Sequence, residues 1–186
     1  MKSIILLFEV LISQNNPNLF QRLNLGVSQD TFVNRINTIG FDFNDELFSL
    51  YQWKNGIKEP TNSHKMFHCG VFMPLDTAIE VYKKCSIRDK LWSKKYFPVF
   101  ESYEGEFLLM DMDSKSENFK NFFIYSPLMY SKPVVVYDNL NSLFTTTVKG
   151  FEKGAYTYHN DKLQIDFDIL YEVCKENNPI SVYWNE

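Results

Sequence analysis

Hydrophobic positions fall three and four residues apart at the start of the chain. Ile4, Ile5, Phe8, Leu11 and Ile12 share one helical face, which predicts an amphipathic helix. Phe32, Ile36 and Ile39 repeat the pattern between Ser28 and Gly40. Ser suits a helix N-cap, and Gly accepts the left-handed residue that ends a helix. A further helix is predicted over residues 44–54. Asp45 and Glu46 sit in its first turn, Leu47, Leu50 and Tyr51 form its buried stripe, and Asn55-Gly56 stops it. Another is predicted over residues 76–86, with Ile79 and Tyr82 inward.

The period then shortens. Residues 66–73, 97–103, 106–112, 121–125 and 133–137 are rich in aromatic and β-branched side chains, which suit a pleated, half-buried surface. A turn at Glu104-Gly105 joins the second and third of these strands. Helical spacing returns over residues 139–153, through Leu140, Phe144, Val148 and Phe151. A small hairpin follows, residues 155–158 and 162–165. Asp166 then caps a last helix with Leu170 and Val173 inward. Helices, then adjacent strands, then helices predict an α+β fold: one domain over residues 1–186, with a mainly antiparallel mixed sheet flanked by helices.

Composition adds limits. At 45% hydrophobic and 17% aromatic, the 186-residue chain has ample material for a core. Its net charge is −4 and its only arginines are Arg22, Arg35 and Arg88. Phosphate neutralisation needs a dense basic face, so nucleic acid is not expected as a ligand. Cys69, Cys85 and Cys174 are odd in number and form no CxxC. That reads as free thiols in a reducing, cytoplasmic setting. The opening MKSIILLFEVLI has a leader-like charge and apolar run, but Glu9 breaks the run and SQNNPN supplies no small-residue cleavage site. No run approaches membrane-spanning length, so no membrane is expected.

Order and spacing of four short motifs carry a resemblance. FNDELFSLYQWKNGI (residues 43–57) is an acidic helix ending in Asn-Gly. VFMPLDTAIEVY (71–82) is a strand leading into a helix. Trp92, FPVF and GEFLLMDMD form the third element, and VVVYDNLNSLF (134–144) a strand into the penultimate helix. Together they resemble the SUKH superfamily in its cell-wall-assembly-regulator (Smi/Knr) branch, over about residues 24–158. Asn44 stands where the family's acidic helix often opens with Pro. The resemblance implies an α+β fold without enzymatic activity. Bacterial members resemble immunity proteins that bind and neutralise a cognate secreted toxin, often one with a basic surface. Fungal-like members imply an adaptor or regulatory module.

Motifs for other chemistry are incomplete. Asp111-Met112-Asp113 resembles the start of a calcium loop, but Ser116 and Phe122 stand where an EF-hand needs its sixth-place Gly and twelfth-place Glu. His64, His68 and Cys69 are possible soft ligands without a matching second cluster. No GxSxG elbow, Walker motif or GxGxxG occurs. No catalytic residue, metal or cofactor is therefore expected. The acids of FPVFESYEGEFLLMDMDS either solvate a hairpin or meet a basic protein partner. The electrostatic candidates are Glu101, Glu104, Glu106, Asp111 and Asp113, with Asp111 alternatively structural. Tyr103 and Tyr130 are the anchor candidates, because Tyr combines area with a hydroxyl. The loop SPLMYSKP (126–133) also offers Leu128 and Met129. Trp53, Gly56, Trp92 and Pro98 are expected to hold the fold.

Overall fold

The computed structural model describes residues 2–68, 70–102 and 105–185. Helix α1 (Lys2–Asn15) buries Ile5, Phe8 and Ile12, the stripe that the apolar spacing predicts. A single turn, α2 (Pro17–Gln21), leads to β1 (Leu23–Leu25). Helix α3 (Gln29–Asn37) is capped by Ser28, whose hydroxyl accepts the Thr31 N–H at 3.2 Å. Helix α4 (Asp45–Trp53) is capped by Asn44, whose side-chain oxygen accepts the N–H groups of Glu46 and Leu47 at 3.0 Å each. A side-chain acceptor thus does what Pro at the first turn would do by presetting φ.

Asn55-Gly56 does more than stop α4. The chain passes directly into β2 (Lys54–Ile57), which pairs antiparallel with β1. Asn55 Oδ1 accepts the Leu75 N–H at 2.8 Å and so caps α5 (Leu75–Arg88). Gly56 has φ +71°, and a Cβ there would lie 2.1 Å from the Pro74 nitrogen. Of the strand expected over residues 66–73, only β3 (Val71–Phe72) joins the ladder. Residues 66–68 instead turn, with an isolated bridge between Phe67 and Gly70.

The main sheet is an antiparallel meander, β3-β4-β5-β6-β7, built from β3, β4 (Tyr96–Ser102), β5 (Glu106–Asp111), β6 (Phe122–Tyr125) and β7 (Val134–Tyr137). Directly paired residues share a face. Phe72, Phe100, Leu108, Ile124 and Val134 line one face; Val71, Glu101, Phe107 and Tyr125 line the other. Pro98 is buried in β4 beside a bulge. Because β3 pairs only with Phe100 and Glu101, no ladder partner on that side asks Pro98 for an N–H.

Helix α6 (Leu140–Glu152), the hairpin β8 (Tyr156–His159) and β9 (Lys162–Ile165), α7 (Phe167–Asn177) and a four-residue helix α8 (Val182–Asn185) complete the chain. One contiguous cluster of buried side chains runs from Ile5 to Trp184. Trp92 is buried in it and donates Nε1–H to the Tyr96 carbonyl at 3.1 Å. Trp53 is half-buried, packs against Phe8 and Phe144, and donates to Glu9 Oε2 at 2.6 Å. Among the described residues no helix is long and apolar enough to cross a membrane.

Candidate functional site

The acids of the β4–β5 hairpin separate into two groups. Strand β5 runs from Glu106 to Asp111. Five steps of about 3.4 Å put its ends about 17 Å apart. Glu101 and Glu106 lie at one end, Asp111 and Asp113 at the other. Tyr103 and Glu104 fall outside the described residues.

At the first end, Glu101 is half-buried opposite Phe107, and burial pushes its carboxyl pKa up. Glu106 accepts the hydroxyl hydrogen of Ser126, the residue just after β6. The Ser126 carbonyl in turn accepts the N–H groups of Met129 at 3.0 Å and Tyr130 at 2.9 Å. This tight turn throws Leu128 and Met129 outward, at 88% and 70% exposure. The expected exposed loop is therefore tied to one of the expected carboxylates, Glu106; Glu101 projects to the other face of the sheet, because it pairs with Phe107 while Glu106 pairs with Ser102.

Tyr130 folds back from this loop, its ring 6.2 Å from that of Tyr183 and edge-on to it. Behind the pair a groove of about 700 Å³ opens along β7, lined by Phe123, Lys132, Val135 and Tyr171 together with Tyr130 and Tyr183. Lys132 is the one charged residue of that lining among the described residues. Trp184 lies beneath Tyr183, 4.5 Å between ring centres, and donates Nε1–H to the Val136 carbonyl at 2.9 Å. Ser181 Oγ donates to the Val135 carbonyl at 2.8 Å. The tail thus occupies acceptors on β7, an edge strand of the sheet.

The opposite end is organised inward. Asp111 is fully buried. Its Oδ2 accepts from Lys95 Nζ and Ser116 Oγ, both at 2.7 Å, and its Oδ1 accepts the Asp113 N–H at 3.0 Å. Its oxygens are committed to Lys95 and to the loop that follows β5, and present nothing to a partner in this conformation. Asp113 is exposed and accepts the Lys115 N–H at 2.9 Å.

His64 and His68 do not converge. His64 Nδ1 accepts the Thr61 N–H at 3.0 Å in a surface turn. His68 Nδ1 lies 3.0 Å from the Tyr156 hydroxyl and 3.3 Å from that of Tyr137, and its ring meets Trp184 at 5.3 Å. Cys69 falls outside the described residues. Among the described residues no group of three His, Cys, Asp or Glu side chains is placed to hold a metal ion.

Burial, followed by the nearby Lys65 charge, lowers His68 to about 3. The fold therefore holds it neutral, while the unfolded chain takes up a proton below its ordinary value of about 6.5. Stability from this group is complete above about pH 6.5 and is lost as pH falls from there towards 3, by at most about 1.4 kcal/mol per pH unit. Comparing denaturant midpoints of the wild type and His68→Gln between pH 7 and 4 tests this. The wild type should lose stability more steeply on acidification; parallel curves would show that His68 is not the group responsible.

Ser126, Lys132, Tyr171, Tyr183 and Trp184 were not distinguishable in the sequence as site residues. The available signal was the apolar run of the 126–133 loop and the aromatic tail SVYWNE. A four-residue helix is too short to show a period.

Residues 26–146 match the family model described as SMI1 / KNR4 family (SUKH-1), a span that covers more than half of the chain, from just after β1 into α6. Comparison with curated proteins gives no match.

Proposed function

Because the chain belongs to the SMI1 / KNR4 family (SUKH-1), we propose that it is a non-enzymatic immunity protein that acts in the cytoplasm. It binds a cognate secreted toxin and occludes the toxin's active surface. The observation that carries this reading is the juxtaposition at one end of the sheet: Leu128 and Met129 stand exposed on a turn hydrogen-bonded to Glu106. An apolar patch rimmed by charge is the usual make-up of a protein interface. The apolar side chains supply the desolvated anchor. The carboxylates speed approach of a basic toxin domain and reject wrong partners.

Co-expression with the toxin encoded beside it tests the reading. The toxin alone should arrest growth, and this protein should restore growth and co-purify with the toxin. Neither rescue nor binding would end the immunity proposal. Replacing Glu101 and Glu106 by Lys should slow association about tenfold or more at low salt, with the difference fading as salt screens it. An unchanged association rate at low salt would remove these carboxylates from the interface. The alternative, an adaptor or regulatory module, would show several weak partners and no neutralised toxin.

A further inference from the structure

The groove along β7 differs in character from the acidic end of the hairpin. Its walls are aromatic and aliphatic, and Tyr130, Tyr171 and Tyr183 are all half-buried at its rim. Two observations restrict how a partner enters. First, the tail already takes the Val135 and Val136 carbonyls, and Pro133 has no N–H to give. An added strand would find few partners there, so the occupant must bind through a side chain rather than by extending the sheet. Second, Lys132 is exposed and makes no ion pair or side-chain hydrogen bond among the described residues, and no carboxylate lines the groove with it. Lys175 adds a second cation 5.9 Å above the Tyr171 ring.

We infer that the groove receives a bulky apolar side chain of a protein partner, with a carboxylate beside it that pairs with Lys132. This rests on the reading of the molecule as a protein binder and specifies one contact. It also sets opposite signs at the two ends of the 126–133 loop, negative at Glu106, which holds Ser126, and positive at Lys132. A partner must then match both signs, which sets its orientation and excludes uniformly basic surfaces.

The test uses the full chain and two fluorescein-labelled heptapeptides, each with a central tryptophan. Two aspartates flank it in one peptide and two lysines in the other. Fluorescence anisotropy at low salt should show the acidic peptide binding about tenfold more tightly, the scale of one well-placed charge pair. Lys132→Glu, a surface change, should reverse the preference. Tyr183→Ser should weaken both peptides while leaving the melting temperature within a few degrees of the wild type. Equal binding of the two peptides, no binding of either at millimolar concentration, or an unreversed preference in Lys132→Glu would each overturn the assignment. The measurement needs no toxin, so its failure leaves the immunity reading standing, and failure of growth rescue leaves the groove standing.

Discussion

Gly56→Ala is expected to destabilise this protein by about 4 kcal/mol or more, a loss that leaves little or no folded material at 37 °C. Two effects combine at this residue. The backbone holds φ +71°, a left-handed conformation that costs an L side chain about 1–2 kcal/mol. The added Cβ would also stand 2.1 Å from the Pro74 nitrogen and 2.4 Å from the Met73 carbonyl carbon. Both are backbone atoms, so relief requires β2 to separate from the entry of α5. That motion also breaks the bond from the Leu75 N–H to Asn55. Gly154→Ala is the control, because Gly154 has φ +81° with nothing within 4 Å of a built Cβ. Denaturant unfolding should show a loss of about 1–2 kcal/mol for Gly154→Ala and a far larger one for Gly56→Ala. Equal losses would mean that the close approach to Pro74 carries no energy.

Asp111→Ala is expected to cost about 3 kcal/mol. The substitution leaves Lys95 without its ion pair, Ser116 Oγ without its acceptor and the Asp113 N–H unsatisfied. Lys95 is partly solvated, with 29% of its side chain exposed, which keeps the loss at the lower end for a broken buried pair. Asp113→Ala, at an exposed position with one local hydrogen bond, should stay within about 0.5 kcal/mol. Thermal melts of the two variants decide between a structural and a partner-facing role for Asp111. If Asp111→Ala melts like the wild type and loses partner binding, the inward-facing assignment is wrong.

The periodic helices were legible because each carries its own stripe and its own cap. Ser28, Asn44 and Asp166 cap the helices that their positions suggest. The strand pairs β4–β5 and β6–β7 were legible from aromatic and β-branched runs. What escaped depended on partners distant in sequence. β1 and β2 are three and four residues long and exist by pairing with each other across α3 and α4. β3 is shorter than its apolar run because Met66 and Phe67 bury themselves by turning rather than by joining the ladder.

The site was half legible for the same reason. An exposed Leu-Met-Tyr turn is visible as a pattern, and so is a row of acids. That β5 carries those acids to opposite ends of a strand follows from its rise. That Asp111 turns inward depends on Lys95 and Ser116, which only the fold brings to it. Lys132 gains meaning only beside Tyr171 and Tyr183, about forty and fifty residues later in the sequence.

The tail's hold on β7 has a consequence for biosynthesis. The meander can assemble once Tyr137 has left the ribosome, yet Ser181 and Trp184 follow more than forty residues later. During that interval the last strand of a nascent molecule presents open carbonyls, a template for pairing with a neighbouring chain. Self-association is therefore a hazard of the interval before Ser181 and Trp184 emerge, and the docking of that helical turn ends it.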